Sequence, residues 1–135
     1  MSMPVALVTG GAQGIGRACA MRLASLGFSV VAAARHEPRD PLPAGIRFAR
    51  LDVTEPASVR SIFRDLLGLQ VLVTAAGVAG GDPPEDLDEA HWRAVVSTNL
   101  DGAWRCAVAA RRLLPNHLGR IVNASRPDGV LLCGS

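Results

Sequence analysis

The stretch V-A-L-V-T-G-G-A-Q-G-I-G, residues 5–16, decides how this sequence folds. The short apolar run Val5–Val8 predicts a buried strand, and the residues from Ile15 onward repeat apolar side chains at helical spacing. Glycines between a strand and a helix adopt backbone angles that other residues avoid, and they let the main chain approach a pyrophosphate closely. The helix N-terminus then offers unpaired N–H groups and a positive dipole end to phosphate oxygens. The stretch therefore predicts a nucleotide-binding turn.

Strand and helix patterns alternate along the rest of the chain. Such alternation is typical of a parallel sheet with right-handed crossovers, which predicts a Rossmann-type doubly wound α/β fold with strand order 3-2-1-4-5. The predicted strands are Val5–Thr9, Ser29–Ala34, Arg47–Leu51, Gln70–Ala75 and Arg120–Asn123. The predicted helices run from Ile15 to Leu26, from Glu55 to Leu67 behind an N-cap at Thr54, and from Glu89 to Leu114 behind an N-cap near Asp88.

Composition excludes several classes of function. The length of 135 residues suits one domain. The 14 basic side chains, all arginine, are scattered from Arg17 to Arg126 and leave a net charge of only +2, which argues against a nucleic-acid-binding stripe. The cysteines Cys19, Cys106 and Cys133 lie far apart without a CxxC pair, so we expect no metal site and a reducing, cytoplasmic setting. We expect neither a signal peptide nor a membrane span from the sequence.

Four further motifs fall in register with the predicted elements. They are Leu51-Asp52-Val53, Ala75-Ala76-Gly77, Asn99-Leu100-Asp101-Gly102 and the run G-R-I-V-N-A-S over residues 119–125. Together with the glycine turn, they resemble the motif set of the short-chain dehydrogenase/reductase family over residues 4–125. Thr74 and Ala75 stand where that family usually has asparagines.

The resemblance implies a nicotinamide dinucleotide bound at the carboxyl ends of the strands. In the family, the aspartate at the position of Asp52 contacts the adenine. The cofactor-binding residues implied are Thr9, Gly10, Gly14, Ile15, Gly16, Arg35, Asp52, Val53, Ala76 and Gly77. The residues alone leave other interpretations open. The glycines could serve a tight turn only, and Asp52 could be a polar residue before a helix that binds nothing.

The end of the second strand distinguishes NAD(H) from NADP(H). An acidic residue there binds the ribose 2′-hydroxyl of NAD, whereas an arginine binds the 2′-phosphate of NADP. This chain has Ala34 where NAD-specific family members carry the acid, and Arg35 follows it. We therefore expect NADP(H) rather than NAD(H). Two features argue the other way: Gln13 is neutral where many NADP-binding members have a base, and Glu37 is nearby. Without a ligand, Arg35 would simply be a solvated loop charge.

The catalytic part of the family pattern is incomplete. The resemblance implies a tyrosine that exchanges the proton, a lysine four residues later that lowers the tyrosine pKa, and a serine that orients the substrate oxygen. The sequence contains neither tyrosine nor lysine. Asn99 and Ser125 remain, although Arg126 occupies the usual place of the catalytic serine. The resemblance also implies that Asn99 kinks its helix and frees a carbonyl to hold a water in the proton relay; alternatively, it is a surface residue.

We accordingly expect an oxidoreductase-type chain for a carbonyl or alcohol substrate, with little or no turnover. Two alternatives stay open: a non-catalytic dinucleotide-binding or interaction module, and a non-functional fragment. Residues 1–125 are expected to form a dinucleotide-binding domain, incomplete at the C-terminus, and residues 126–135 a divergent tail. The fifth strand would then be an open edge unless Gly129–Cys133 folds back as a sixth strand. The resemblance implies that the long helix helps to form a subunit interface, so its apolar face leaves open either a homo-oligomer or aggregation.

Overall fold

The computed structural model describes residues 2–78 and 88–124 and contains a five-stranded parallel sheet flanked by helices. In chain order the elements are β1 (Val5–Thr9), α1 (Gly14–Ser25), β2 (Ser29–Ala34), β3 (Ile46–Arg50), α2 (Pro56–Arg64), β4 (Leu69–Thr74), α3 (Glu89–Val96), α4 (Gly102–Arg111) and β5 (Arg120–Asn123). A π-helical turn, Ser97–Asp101, joins α3 to α4. The strand order β3-β2-β1-β4-β5 confirms the predicted fold and puts β1 at the centre.

Side chains of the strands alternate between two faces and build a core on each face. On one face, Leu7 of β1 belongs to a cluster with Phe63 of α2 and Ala110 of α4. On the other face, Val8 of β1 belongs to a cluster with Ala20 of α1. Because helices cover both faces, the central strands are apolar at nearly every position instead of alternating with polar residues. This explains why short apolar runs located the strands.

The strand bounds agree with the sequence analysis to within one residue. The first, second and fifth strands have the predicted limits, whereas β3 and β4 each begin and end one residue earlier. The start of α2 differs, because its N-cap is Glu55 and not Thr54. The Thr54 backbone N–H and hydroxyl both donate to Asp52 Oδ1, at 3.0 and 2.7 Å. The hydroxyl therefore completes the turn before the helix and does not cap it, and α2 ends at Arg64, short of Leu67.

The long helix predicted from Glu89 is interrupted at its middle. The Gly102 N–H donates to the Ser97 carbonyl, a five-residue step that inserts one extra residue into the helix. The interruption contains Asn99, where the family resemblance implies a kink. The predicted N-cap is confirmed, since Asp88 Oδ1 accepts from the His91 N–H at 2.7 Å. None of the helices in the described part of the chain combines the length and apolarity needed to cross a membrane.

The strand β5 is the edge of the described sheet and is largely exposed. Its hydrogen-bonded neighbour within residues 2–78 and 88–124 is β4, in parallel register. Ile121 and Val122 are 39 % and 52 % exposed. The predicted tail, residues 126–135, and the alternative in which Gly129–Cys133 forms a sixth strand both lie outside the described residues.

One thiol of α4, that of Cys106, is buried and therefore poorly accessible to reagents. Cys106 is 1 % exposed, and desolvation by burial raises its pKa to about 12. The thiolate is the form that alkylating reagents attack, so we predict that iodoacetamide near pH 8 modifies Cys106 much more slowly than the half-buried Cys19 of α1. Timed labelling followed by peptide mass spectrometry gives both rates. In denaturant the two rates should converge; rapid labelling of native Cys106 would contradict the packing of α4 on the sheet.

Candidate cofactor site

The predicted cofactor residues lie at the carboxyl ends of four neighbouring strands, β3, β2, β1 and β4. Thr9, the last residue of β1, is in register with Thr74, the last residue of β4. Arg35 follows β2 directly, and Ala76 and Gly77 follow β4. Parallel strands end at the same edge of a sheet, and a crevice opens where the strand order reverses beside β1. The fold therefore gathers the predicted residues at the place where open α/β sheets bind ligands.

Three glycines of the turn after β1, Gly10, Gly11 and Gly16, are packed too tightly to admit a side chain. Gly10 has a φ of +66°, and a Cβ there would lie 2.6 Å from the carbonyl oxygen of Ala75. A Cβ on Gly16 would overlap the carbonyl group of Gly10. Gly14 begins α1 with a φ of +58°. The turn thus presents bare backbone beside the end of β1, which is the surface that close contact with a pyrophosphate requires.

The N-terminus of α1 is open to an anion. Gln13 is its N-cap and supplies no side-chain hydrogen bond, and its carbonyl accepts the N–H of Arg17 at 3.2 Å. The N–H groups before Arg17, including those of Gly14, Ile15 and Gly16, therefore have no partner in the helix itself. The first turn contains no acidic side chain that would neutralise the helix dipole, and Ile15 is 57 % exposed. These features suit phosphate binding.

Thr9 joins the ends of β1 and β4. Its side chain is buried, and its hydroxyl accepts from the N–H groups of Ala75 and Ala76 at 3.2 and 3.3 Å. The Ala75 N–H also donates to the Thr9 carbonyl at 3.1 Å. The hydroxyl oxygen thus accepts two backbone bonds, so Thr9 ties the ends of β1 and β4 together and shapes the crevice.

Asp52 is a fixed, ionised carboxylate in the loop after β3. Its Oδ1 accepts both Thr54 bonds, and its own N–H donates to Ser58 Oγ at 3.0 Å. The Thr54 hydroxyl bond, followed by the Thr54 backbone bond and the charges of Arg35 and Arg50, holds the pKa of Asp52 below its usual value against an opposing effect of burial. Val53 is buried and packs against Gly102 of α4, where a Cβ would lie 2.5 Å from Val53 Cγ2.

Arg35 lies close enough to Asp52 for its charge to act on that carboxylate. Its side chain is exposed, and its guanidinium makes no hydrogen bond or salt bridge with residues 2–78 and 88–124. An arginine that the protein leaves unpaired at the end of β2 has its donor fork available for an anionic group.

Asn99 holds the loop after β4 with its side-chain amide. Its Oδ1 accepts from the Val78 N–H at 2.8 Å, and its Nδ2 donates to the Val78 carbonyl at 3.0 Å. A Cβ on Gly77 would lie 3.2 Å from the same Oδ1. The π-turn therefore brings Asn99 against the predicted cofactor residue Gly77, and the amide is used to position this loop.

The second predicted catalytic residue, Ser125, lies outside the described residues, but the strand that leads to it is described. The Ala124 N–H donates to the Thr74 carbonyl at 2.9 Å. The Thr74 hydroxyl donates to Asn123 Oδ1 at 2.5 Å, which joins the ends of β4 and β5. Thr74 thus makes a polar bridge at the position where the family pattern has asparagine.

Three polar residues that shape this site were not predicted as site residues from the sequence. Thr54 holds the Asp52 carboxylate, Thr74 bridges to β5, and Arg17 of α1 donates to the backbone carbonyls of Asp40 and Pro41 at 3.0 and 2.8 Å. The departure at Thr74 from the family's asparagine was a usable signal. Nothing in the sequence pattern indicates the partners of Arg17, because they lie more than twenty residues away and are backbone atoms.

Comparison with known proteins agrees with this geometry. The family model described as short chain dehydrogenase matches residues 4–131. Among characterised relatives, the chain is similar to the 3-oxoacyl-acyl-carrier-protein reductase FabG of Escherichia coli, at 31 % identity over 94 % of this chain and 56 % of the relative. It is also similar to a 3beta-hydroxysteroid dehydrogenase of Mediterraneibacter gnavus, at 32 % identity over 93 % of this chain and 50 % of the relative.

A solved structure shows the same arrangement. Ligand-free aldohexose dehydrogenase of Thermoplasma acidophilum superposes with a TM-score of 0.81 at 28 % identity, over 90 % of this chain and 48 % of that one. The chain thus spans about half the length of the relatives that it matches. The match to the family model and the similarity to these relatives establish that the chain belongs to the short-chain dehydrogenase/reductase family, whose members bind nicotinamide dinucleotides.

Proposed function

We propose that this chain forms the NADP(H)-binding part of an oxidoreductase that acts on a carbonyl or hydroxyl substrate. The observation that carries the proposal is the unpaired, exposed guanidinium of Arg35 at the end of β2, beside a turn in which Gly10 and Gly16 admit no side chain. Residues 1–125 would constitute the dinucleotide-binding domain. The proposal includes no nucleic-acid or membrane partner, because the arginines are scattered and the net charge is only +2.

The proposed cofactor lies across the carboxyl ends of β2, β1 and β4. Its pyrophosphate would rest on the backbone of Gly10, Gly14, Ile15 and Gly16, at the open N-terminus of α1. Its adenosine would lie toward β2, where Arg35 would bind the 2′-phosphate and Asp52 and Val53 would border the adenine. The nicotinamide half would then extend past Thr9 toward Ala76 and Gly77, since the dinucleotide must cross the crevice from one side of β1 to the other.

Bound nicotinamide supplies or accepts a hydride, and the chain must manage the accompanying proton. Asn99 bonds the loop that carries Gly77 and Val78, so its contribution is to hold the residues that would border the nicotinamide half of the cofactor. Ser125 directly precedes Arg126, which occupies the usual place of the catalytic serine, and it would be the residue left to orient the substrate oxygen. No tyrosine or lysine exists in the sequence to exchange the proton at that oxygen. We therefore propose that the chain holds cofactor but turns over little or no substrate.

The proposed substrate class rests on what the relatives share. The names of the similar proteins describe a 3-oxoacyl reductase, a 3beta-hydroxysteroid dehydrogenase and a cis-4-hydroxycyclohexanecarboxylate dehydrogenase. These substrates differ in shape and have in common a carbonyl or alcohol carbon that exchanges hydride.

The two cysteines described, Cys19 and Cys106, are free thiols, which supports a reducing cytoplasmic setting.

The cofactor preference is tested by replacing Arg35. We predict that NADPH raises the melting temperature of the chain more than NADH does, because a ligand that binds only the native state stabilises it. In Arg35→Ala, NADPH affinity should fall about tenfold or more while NADH affinity changes little, since a hydrogen-bonded charge pair is worth roughly 1.5–3 kcal/mol. Calorimetric titration of both cofactors measures this. Arg60→Ala, which removes the same charge from the exposed side of α2, is the control and should bind like the parent.

The absence of a proton-exchanging pair favours a second candidate function, a dinucleotide-binding module without catalysis. Loss of a general acid–base lowers rates by about 10² to 10⁴. We predict that NADPH oxidation with activated diketones proceeds at least that far below the rates of complete family members, although the cofactor binds. Stopped assays at saturating NADPH measure it. Turnover at ordinary family rates would contradict the proposal, and a chain without a cooperative melt would be a non-functional fragment.

Self-association through the long helix is a further part of the proposal. The apolar side chains of Trp92, Leu100 and Trp104 are each more than 60 % exposed on α3, the π-turn and α4. Large apolar side chains gathered on one helical segment of a small domain are typical of a protein contact. A second copy of the chain is the partner we propose, because α3 has no buried residue within the described part of this chain.

Self-association through the long helix is tested by a substitution that places one charge on its exposed apolar side. We predict that the parent chain elutes as a dimer or a larger oligomer in light-scattering chromatography, and that Trp104→Arg shifts it to monomer. The control Leu67→Arg places the same charge at an 84 % exposed leucine between α2 and β4, and it should leave the mass unchanged. A monomeric parent, or equal effects of both variants, would contradict an interface on this helix.

A further inference from the structure

The segment between β2 and β3, residues 35–45, is called the β2–β3 loop below. It begins with Arg35, the residue proposed to bind the 2′-phosphate. Its far end is well anchored. The Gly45 carbonyl accepts the Val30 N–H at 3.0 Å, the Ile46 N–H donates to the Pro43 carbonyl at 3.2 Å, and Leu42 packs against the core on the α1 face. Its near half, residues 35–41, carries Arg35, Glu37 and Arg39 and is mostly exposed.

The near half of the loop does not stabilise itself. No backbone–backbone hydrogen bond joins residues 36–42 to any other described residue. Pro38 and Pro41 have no N–H to donate, although their rings restrict the backbone angles. Such a segment keeps one conformation only if another part of the molecule holds it.

Arg17 of α1 supplies that hold. Its Nη1 donates to the Asp40 carbonyl at 3.0 Å, and its Nη2 donates to the Pro41 carbonyl at 2.8 Å. A guanidinium is a rigid planar fork, so two bonds to successive carbonyls fix both the position and the direction of the backbone there. Arg17 stands immediately after Gly16, so the fork ties the loop to the first turn of the helix that follows the glycine turn.

We propose that Arg17 is a positioning residue for cofactor selectivity: it pins the β2–β3 loop so that Arg35 is held ready for the 2′-phosphate. The inference rests on the proposed preference for NADP(H). Ordering a long side chain and its loop on binding reduces affinity, and a loop that is already fixed avoids most of that loss. NADH has a hydroxyl in place of the 2′-phosphate, so its affinity does not depend on Arg35 or on the loop that carries it.

The test compares three variants of the full chain. Arg17→Met keeps an apolar stem without the fork, Arg17→Lys keeps the charge as a single donor group, and Arg22→Met removes the same charge from the same helix. Arg22 is a matched control because its side chain bonds only to Ser25 of α1 among the described residues. Titration with 2′,5′-ADP and with 5′-ADP isolates the adenosine half of the cofactor. Limited trypsin digestion after Arg35 and Arg39 reports the opening of the loop.

In Arg17→Met we expect 2′,5′-ADP affinity to fall about three- to tenfold, 5′-ADP affinity to stay within about twofold, and cleavage after Arg35 and Arg39 to accelerate. Arg17→Lys should lie between Arg17→Met and the parent in both readouts, since one ammonium cannot hold two carbonyls as a fork does. Arg22→Met should match the parent throughout.

Each of the following results would overturn the inference. A loss of 2′,5′-ADP affinity without faster cleavage would mean that Arg17 contacts the phosphate itself. Full rescue by Arg17→Lys, or an equal loss in Arg22→Met, would mean that only charge matters. Unchanged cleavage and binding in Arg17→Met would leave the residue without this role. If the parent binds both probes equally while the loop still opens in Arg17→Met, the preference for NADP(H) has failed and the selectivity role fails with it, although the anchoring contact itself stands.

Discussion

Backbone packs directly against backbone where the turn after β1 meets the residues after β4. Gly10 admits no Cβ beside the Ala75 carbonyl, and Gly16 admits none beside Gly10. The Thr9 hydroxyl completes the contact by accepting two N–H groups from the β4 side. A side chain at either glycine would force the central strands or α1 apart, because atoms in a packed interior cannot give way by more than a few tenths of an ångström. The position of α1, and with it the open helix N-terminus, follows from this contact.

The loops after β3 and β4 are held by the long helix. Asn99 in the π-turn bonds both backbone groups of Val78, and Gly102 allows α4 to approach Val53. Arg105 adds a hydrogen bond from α4 to the Val53 carbonyl at 3.1 Å. π-turns are rare, and they frequently occur at functional sites. Here the π-turn orients the amide of Asn99 toward the loop after β4. A side chain from the middle of the long helix therefore holds one edge of the crevice.

Charge at the rim is arranged around one carboxylate. Asp52 remains ionised because Thr54 donates to it and because Arg35 and Arg50 lie near it, so its negative charge is partly balanced within the fold. Arg35 influences Asp52 without bonding to it, and its donors stay available. An anion that enters from solvent therefore meets an arginine whose fork is not engaged, beside a helix dipole that attracts it.

The sequence by itself determined the order of strands and helices, the glycine turn and the family, because these depend on local apolar runs and on residues adjacent in the chain. Tertiary structure alone decided that Thr54 holds Asp52 and does not cap α2, that Asn99 bonds Val78, and that Arg17 reaches Asp40 and Pro41. Two of these contacts join a side chain to backbone atoms more than twenty residues away, and backbone atoms carry no sequence signature. The third reflects competition between a turn and a cap for one hydroxyl, which only the final path of the chain settles.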